Sequence, residues 1–404
     1  MLLGLLLILL AVANTSWFKN YAADKATAWL TKELGVDVSI GEISLDYFDE
    51  ISATKVYIAD LQHDTMIYVE NLHVDYDLFS FTNTLIKLDN IDLEDAKVFL
   101  GIPKDESQIN LQFLINYFSP KKKKTRPSAA QIINLSKVSL KNTKFRYFNK
   151  NHSQTTDRAF DENDLYFKKI SGHLHDFKII NDSLNFVIED LSGLEKSGLN
   201  IQNLSANTII SPSTMRFESL VLQTSNSHIK DFLQFKYSSY ADFSEFITDV
   251  QIEANFDESK VHTSDLALFS NTLKEYTEVL FANGKVTGTI NNLRSEKLEI
   301  SMSNHTHFNG KIKITGLPNT AKTYLDINAK ILTSTAREIA KLAKLDPVPQ
   351  EFLALGDIRY VGTFRGYFTD FAVKGEIHSS VGDVATDITY KQLGTNNAGY
   401  AGIL

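Results

Sequence analysis

The side chains best able to do chemistry in this 404-residue chain are two histidine pairs, His173 with His175 and His305 with His307. Set two residues apart on a strand, both rings of a pair share one face, a geometry that can hold a metal ion. Neither pair has a nearby cysteine or a clear third ligand, so surface or packing histidines are the plainer reading. Asp161, Glu162 and Asp164 read in the same way as a solvated turn rather than a cation site. The chain has no glycine loop ending in Lys-Ser/Thr, no Gly-x-Ser-x-Gly elbow, no His-Glu-x-x-His and no calcium-loop spacing. No catalytic residue, cofactor or metal is therefore assigned, and an enzyme is the least favoured class.

The elements that carry these residues show a two-residue beat of apolar side chains. Val36, Val38 and Ile40 alternate with polar residues, as do Leu72, Val74, Tyr76 and Leu78, then Ile86 and Leu88, then Ile91 and Leu93. Alternate residues of a strand point to the same side of a sheet, so each run has one apolar and one polar face. The chain is predicted to be mainly β, an elongated antiparallel sheet with a few short amphipathic helices.

Composition narrows the partners. Charged residues make up 22% and hydrophobic ones 43%, the balance of a folded protein. A net charge of -8 argues against nucleic acid, whose binding draws on neutralised phosphates. The absence of cysteine removes thiolate sites and disulfides and permits a periplasmic address.

Residues 1–16 are expected to form a membrane anchor, with Leu2, Leu3, Leu5, Leu6, Leu7, Ile8, Leu9 and Leu10 as its apolar run. The run is shorter than the ~20 residues of a full span. A cleaved secretory signal ending at Ala11-Val12-Ala13 and a buried core helix are the alternatives. No Lys or Arg precedes the run, so a clipped start is expected.

Residues 17–35 follow as an amphipathic helix capped by Ser16 and closed by Gly35, with Phe18, Tyr21, Ala22, Ala26, Trp29, Leu30 and Leu34 on one side. It either packs on the first strands or lies at a membrane surface. A first β-region spans 36–118 and includes a turn of helix at Leu111, Leu114, Ile115 and Phe118. The basic loop 119–130 holds Lys121 to Lys124, and residues 131–404 continue the sheet.

Bracing helices are expected near 264–283 and 334–346, the second with Thr335 and Glu338 as a capping box. Three segments, Gly284 to Gly288, Gly310 to Gly316 and Gly356 to Gly362, share a plan of glycine, short strand, glycine. Glycine at strand ends suits a stack of antiparallel hairpins.

Four stretches carry a family resemblance. They are Ile40 to Leu100, with Asp60-Leu61-Gln62-His63-Asp64-Thr65-Met66-Ile67-Tyr68-Val69 inside it, Leu191 to Gly198, Gly362 to Phe371, and Gly382 to Ile388. In this order they resemble the TamB proteins of the Bacteroidetes, within the wider AsmA-like group. The resemblance implies an inner-membrane anchor and a long periplasmic β-sheet folded into an apolar groove that carries phospholipid towards the outer membrane. It also implies an older role, assistance to outer-membrane protein assembly with a TamA-like barrel partner. The family's C-terminal domain is not matched, so the chain reads as an N-terminal part, and binding of the barrel is not carried over to it.

Two functional expectations follow. In the first the chain is a lipid conduit, with Val56, Ile58, Leu72, Val74, Tyr76, Leu88 and Val98 lining the groove. In the second it is a scaffold that pairs free strand edges with client strands. An apolar strand face covered by a second sheet is the plain structural alternative to a groove.

Overall fold

A computed structural model describes residues 15–46, 49–76, 85–118, 132–152, 159–180, 183–302, 304–392 and 398–403. The anchor residues Leu2 to Leu10 and the loop 119–130 lie outside them. Among the described residues the chain is mainly β, with 21 strands, and no helix is long and apolar enough to cross a membrane. It divides into two compact units, residues 1–155 with 160–211, and residues 156–159 with 212–404.

The first unit opens with α1 (Ser16–Leu34). Its N-cap is Thr15 rather than Ser16, with the Thr15 hydroxyl accepting from Phe18 N at 3.3 Å. It ends at Gly35, whose φ of 71° supplies the left-handed closing turn. The buried side runs through Ala23 and the half-buried Thr27 and Thr31, while Tyr21 and Trp29, expected on the packed side, are exposed. Small side chains allow the close approach. The Thr31 and Thr27 hydroxyls accept from Val38 N at 3.3 Å and Ile40 N at 3.1 Å, satisfying edge donors of the sheet.

The strands of this unit are β1 (Val38–Ser39), β2 (Glu42–Asp46), β3 (Glu50–Ala59), β4 (Thr65–Tyr76), β5 (Leu85–Glu94), β6 (Lys97–Ile102), β7 (Ile132–Asn149), β8 (Asp164–Ile180), β9 (Ser183–Glu195) and β10 (Asn200–Ser211). A helix, α2 (Gln112–Phe118), falls between β6 and β7. The expected all-antiparallel order fails here. β7 runs parallel to β5 and to β6, which lie end to end along it. Alternation reports which face a side chain takes and carries no information on strand direction, and a long connection permits a parallel return.

Most long strands are bulged rather than straight. Lys55, Asp95, Asn142, Lys169, Asp176 and Asp190 all have positive φ between 51° and 58°. Around them the apolar beat slips by one residue. In β8 it runs Leu165, Phe167, then Ile170, Leu174, then Phe177, with the slips at Lys169 and Asp176. A bulge absorbs one extra residue and bends the strand, so the residues on both sides of the slip return to one face.

The second unit is an antiparallel ladder of β11 (Thr214–Thr224), β12 (His228–Lys236), β13 (Gln251–His262), β14 (Val279–Thr289), β15 (Asn292–Met302), β16 (Thr306–Thr315), β17 (Tyr324–Thr335), β18 (Asp357–Tyr367), β19 (Asp370–Ser379), β20 (Gly382–Gln392) and β21 (Ala398–Ile403). Short helices α3 (Phe246–Asp249), α4 (Thr263–Leu266), α5 (Ala336–Leu342) and α6 (Gln350–Leu353) sit at strand ends.

The helix expected over 264–283 is only α4 and a 3₁₀ turn at Asn271–Glu275, because residues 279–283 belong to β14. Val279, Leu280 and Phe281 fit a helical face and a strand equally well, and pairing with β13 and β15 decides. In α5 the Thr335 hydroxyl accepts from Glu338 N at 3.1 Å, and the Glu338 carboxylate accepts from the Thr306 hydroxyl.

Of the glycines expected at strand ends, Gly316 and Gly356 flank β16 and β18, with φ of 103° and 60°, and the others differ. Gly284 and Gly288 lie within β14, Gly310 within β16 and Gly362 within β18, where carbonyls of the neighbouring strands pass close by. A Cβ on Gly310 would stand 2.2 Å from the Asn328 carbonyl oxygen. Gly310→Ala is expected to lower stability by about 1–3 kcal/mol in urea unfolding. Gly193→Ala, where the nearest atom is the Ile170 side chain at 3.3 Å, should cost clearly less, and equal losses would remove this account of the glycines.

Candidate functional site: the apolar sheet face

Strand register gathers the apolar residues of the first unit into rows, since directly opposed residues share a face. One row runs Val38, Ile58, Ile67, Val98, Phe145, Phe167. A second runs Ile43, Ala53, Leu72, Leu93, Leu140, Gly172. A third runs Ile51, Val74, Ile91, Val138, Leu174, Ile188, Ala206. Tyr76, Leu88 and Leu135 begin a fourth, and Val56 opposes Val69.

All seven residues expected to line a groove fall in these rows, and all seven are half-buried. The other face of the same strands is polar, as in the row Ser52, His73, Asp92, Ser139, His173, Glu189.

In the second unit one line crosses ten strands, Leu220, Asp231, Phe256, Gly284, Leu298, Gly310, Ala329, Gly362, Gly375, Thr386. Register shifts cluster along it from β11 to β18, so it marks the crease at which the strands bend. On one side lies the row Met215, Phe235, Ile252, Gly288, Leu293, Ile314, Leu325, Gly366, Phe371, Tyr390. On the other lies Ala282, Ile300, Phe308, Leu332, Tyr360, Ile377, Val384.

Burial distinguishes the crease from its flanks. Leu220, Leu298, Ala329 and Thr386 are buried, whereas the large flanking residues Phe235, Ile252, Ile300, Phe308, Leu332, Phe371 and Ile377 are only half-buried. A second sheet packed on such a face would bury these side chains as fully as those of the crease. Aromatic stacking runs along one flank, with ring centroids 5.0 Å apart for Phe364 and Phe371 and 4.8 Å for Phe371 and Tyr390.

Two part-buried carboxylates sit at strand ends. Burial raises the Asp164 carboxyl, but hydrogen bonds from Arg146 at 2.8 Å and Lys196 at 2.6 Å outweigh it and hold the group below the usual range. Neighbouring Asp161, expected to be solvated, is buried and accepts from Asn163 N at 3.0 Å. Asp265 has the same balance. Burial pushes it up, and bonds from Asn226 at 3.0 Å, the Ser227 hydroxyl at 2.6 Å and the Thr224 hydroxyl at 2.5 Å bring it down.

The histidine pairs stay apart from the apolar rows. His175 contacts Asp176 at 3.1 Å, His173 Nδ1 is buried without a hydrogen-bond partner, and His307 meets the Ser301 hydroxyl at 3.0 Å. Among the described residues no three His, Asp or Glu groups gather as metal ligands. The crease went unread in the sequence, although the one-residue slips that mark it, such as Phe217 to Leu220 and Phe256 to Ser259, are visible there.

Asp265 has a depressed pKa in the folded chain, so its contribution is complete above the unfolded value of about 3.9 and is lost as pH falls through the lower folded value. Asp265→Asn should therefore lower Tm at neutral pH, with the gap to the unsubstituted chain narrowing below about pH 4. A gap independent of pH would contradict the charged role. Compared with known proteins, the chain matches no family model, no curated protein and no solved structure.

Proposed function

We propose that this chain carries phospholipid between the inner and outer membranes, anchored in the inner membrane by its N-terminus with the bulk of the chain in the periplasm, and so supports outer-membrane biogenesis. One observation carries the reading, the rows of mostly apolar side chains within each unit, many of whose large members remain half-exposed. In this reading the strands of each unit fold at their bulges into a groove, and the rows are its walls.

The chemistry required is modest. Each acyl CH₂ shielded from water gains about 0.8 kcal/mol, so a contiguous apolar strip suffices to hold a lipid tail and no catalytic group is needed. One carboxylate, Asp231, interrupts the crease of the second unit, and the Asn255 amide donates to it. The phosphate headgroup stays in water.

A scaffold that captures client strands, or joins a TamA-like barrel, would need free strand edges. At the N-terminal edge the donors of Val38 and Ile40 are already taken by Thr31 and Thr27. That contact favours the lipid reading over strand capture at this end.

Native mass spectrometry of protein purified from a bacterial periplasm tests the conduit. Leu72→Asp combined with Val98→Asp, both at half-exposed row positions, should leave the protein folded and abundant while removing co-purified phospholipid. Val69→Asp, at a buried position of the same face, should unfold it. Lipid-free unsubstituted protein, or loss of folded protein in the row variants, would return the face to an ordinary core.

A further inference from the structure

The chain contains two tryptophans, and both stand on α1. They are among its most exposed large side chains, Trp17 at 70% and Trp29 at 61%. Between them Tyr21 is exposed at 49% and stacks on Trp17 with ring centroids 5.7 Å apart and planes 12° from parallel. Lys25 Nζ lies 5.4 Å from the Tyr21 ring centroid. Residues 17, 21, 25 and 29 are spaced four apart, and each such step turns by about 40° on an α-helix. They therefore cover about a third of the circumference, the width of an amphipathic face.

That arc is opposite the packed side. Ala23, Thr27 and Thr31 hold α1 against the sheet edge, so the aromatic arc faces away from the protein. A water-facing helix gains nothing from displaying two indoles, a phenol and a lysine stem in one band. These side chains have an apolar body and a polar tip, the combination that prefers the boundary between acyl chains and headgroups. The sequence immediately before the helix is apolar from Leu2 to Ala13 except for Gly4.

We infer that α1 lies flat in a bilayer interface, its Trp17, Tyr21, Lys25, Trp29 arc turned into the lipid and its Ala23, Thr27, Thr31 side holding the edge of the first unit. The occupant is a lipid surface, and its recognition rests on aromatic partitioning more than on charge, because Asp24 and Glu33 offset two of the helix's lysines. The helix would then fix the sheet edge at membrane level. The inference stands on α1 alone and survives if the apolar rows prove to carry no lipid.

The two tryptophans make it testable without added probes. The full chain is reconstituted in phosphatidylcholine vesicles containing lipids brominated at defined acyl positions, using Trp17→Phe and Trp29→Phe so that one indole reports at a time. Flat orientation predicts that both indoles are quenched, most strongly by bromines near the headgroup, and at equal depth. An upright α1 continuing from a spanning segment would carry Trp29 about 18 Å farther from the bilayer than Trp17. Quenching of Trp17 alone, with Trp29 open to aqueous acrylamide, would overturn the inference, as would no quenching of either. Lipid held on the sheet rows does not enter this readout, so the two proposals fail separately.

Discussion

Everything in this protein depends on keeping large apolar side chains on one face of strands that also bend. A strand of ten or more residues cannot bend at a bulge without gaining a residue, and that residue inverts the alternation beyond it. The sequence meets the constraint by slipping its apolar pattern by one at the same point. In β7 the pattern breaks between Leu140 and Thr143, where Asn142 takes φ of 53°, and in β13 between Phe256 and Ser259, where Glu258 takes φ of 43°. Polar side chains suit these positions because the bulged residue faces water. The partner strand must then admit a displaced carbonyl at close range, which is why Gly284 and Gly310 sit opposite bulges.

A bent sheet with a half-exposed face has little core, and its stability is placed elsewhere. Buried carboxylates staple the strand ends. Asp60 accepts from Gln62 N at 3.0 Å, Asp64 N at 2.9 Å and the Asn110 amide at 3.1 Å, tying the β3–β4 turn to the segment after β6. Glu195 accepts from Tyr166 N at 3.1 Å and Ser197 N at 2.6 Å, and the half-buried Asp265 binds the β11–β12 turn. Each is supplied with several donors, the condition under which a buried charge is tolerated. Because these locks lie at turns, the rows between them stay almost free of charge.

The β character, the membership of the apolar face and the start of α5 were legible because each is a local property. Alternation identifies Leu72, Val74 and Val98 as one set, and Thr335 with Glu338 marks a helix start whatever the surroundings. What could not be read depends on partners distant in sequence. The parallel placement of β7 against β5 and β6 leaves no trace in periodicity, and Val279 to Phe281 became strand only through β13 and β15. The interior glycines were misplaced for a related reason. A glycine that ends a strand and one that admits a neighbouring carbonyl look alike until the neighbour is known.

The two ends of the first unit's problem meet at α1. An open sheet edge would invite pairing with other chains, and a helix rich in exposed aromatics would invite aggregation if it faced water. Placed together they answer each other. Thr27 and Thr31 consume the edge donors, which fixes the rotation of the helix about its axis, and that rotation leaves Trp17, Tyr21 and Trp29 pointing away from the sheet. Replacing both threonines by valine would keep the packing volume but orphan the edge N–H groups, so the helix would lose the contact that sets its orientation rather than its ability to form. The placement of the aromatic arc is thus a consequence of how the sheet begins, and the rows of apolar side chains begin at that same edge.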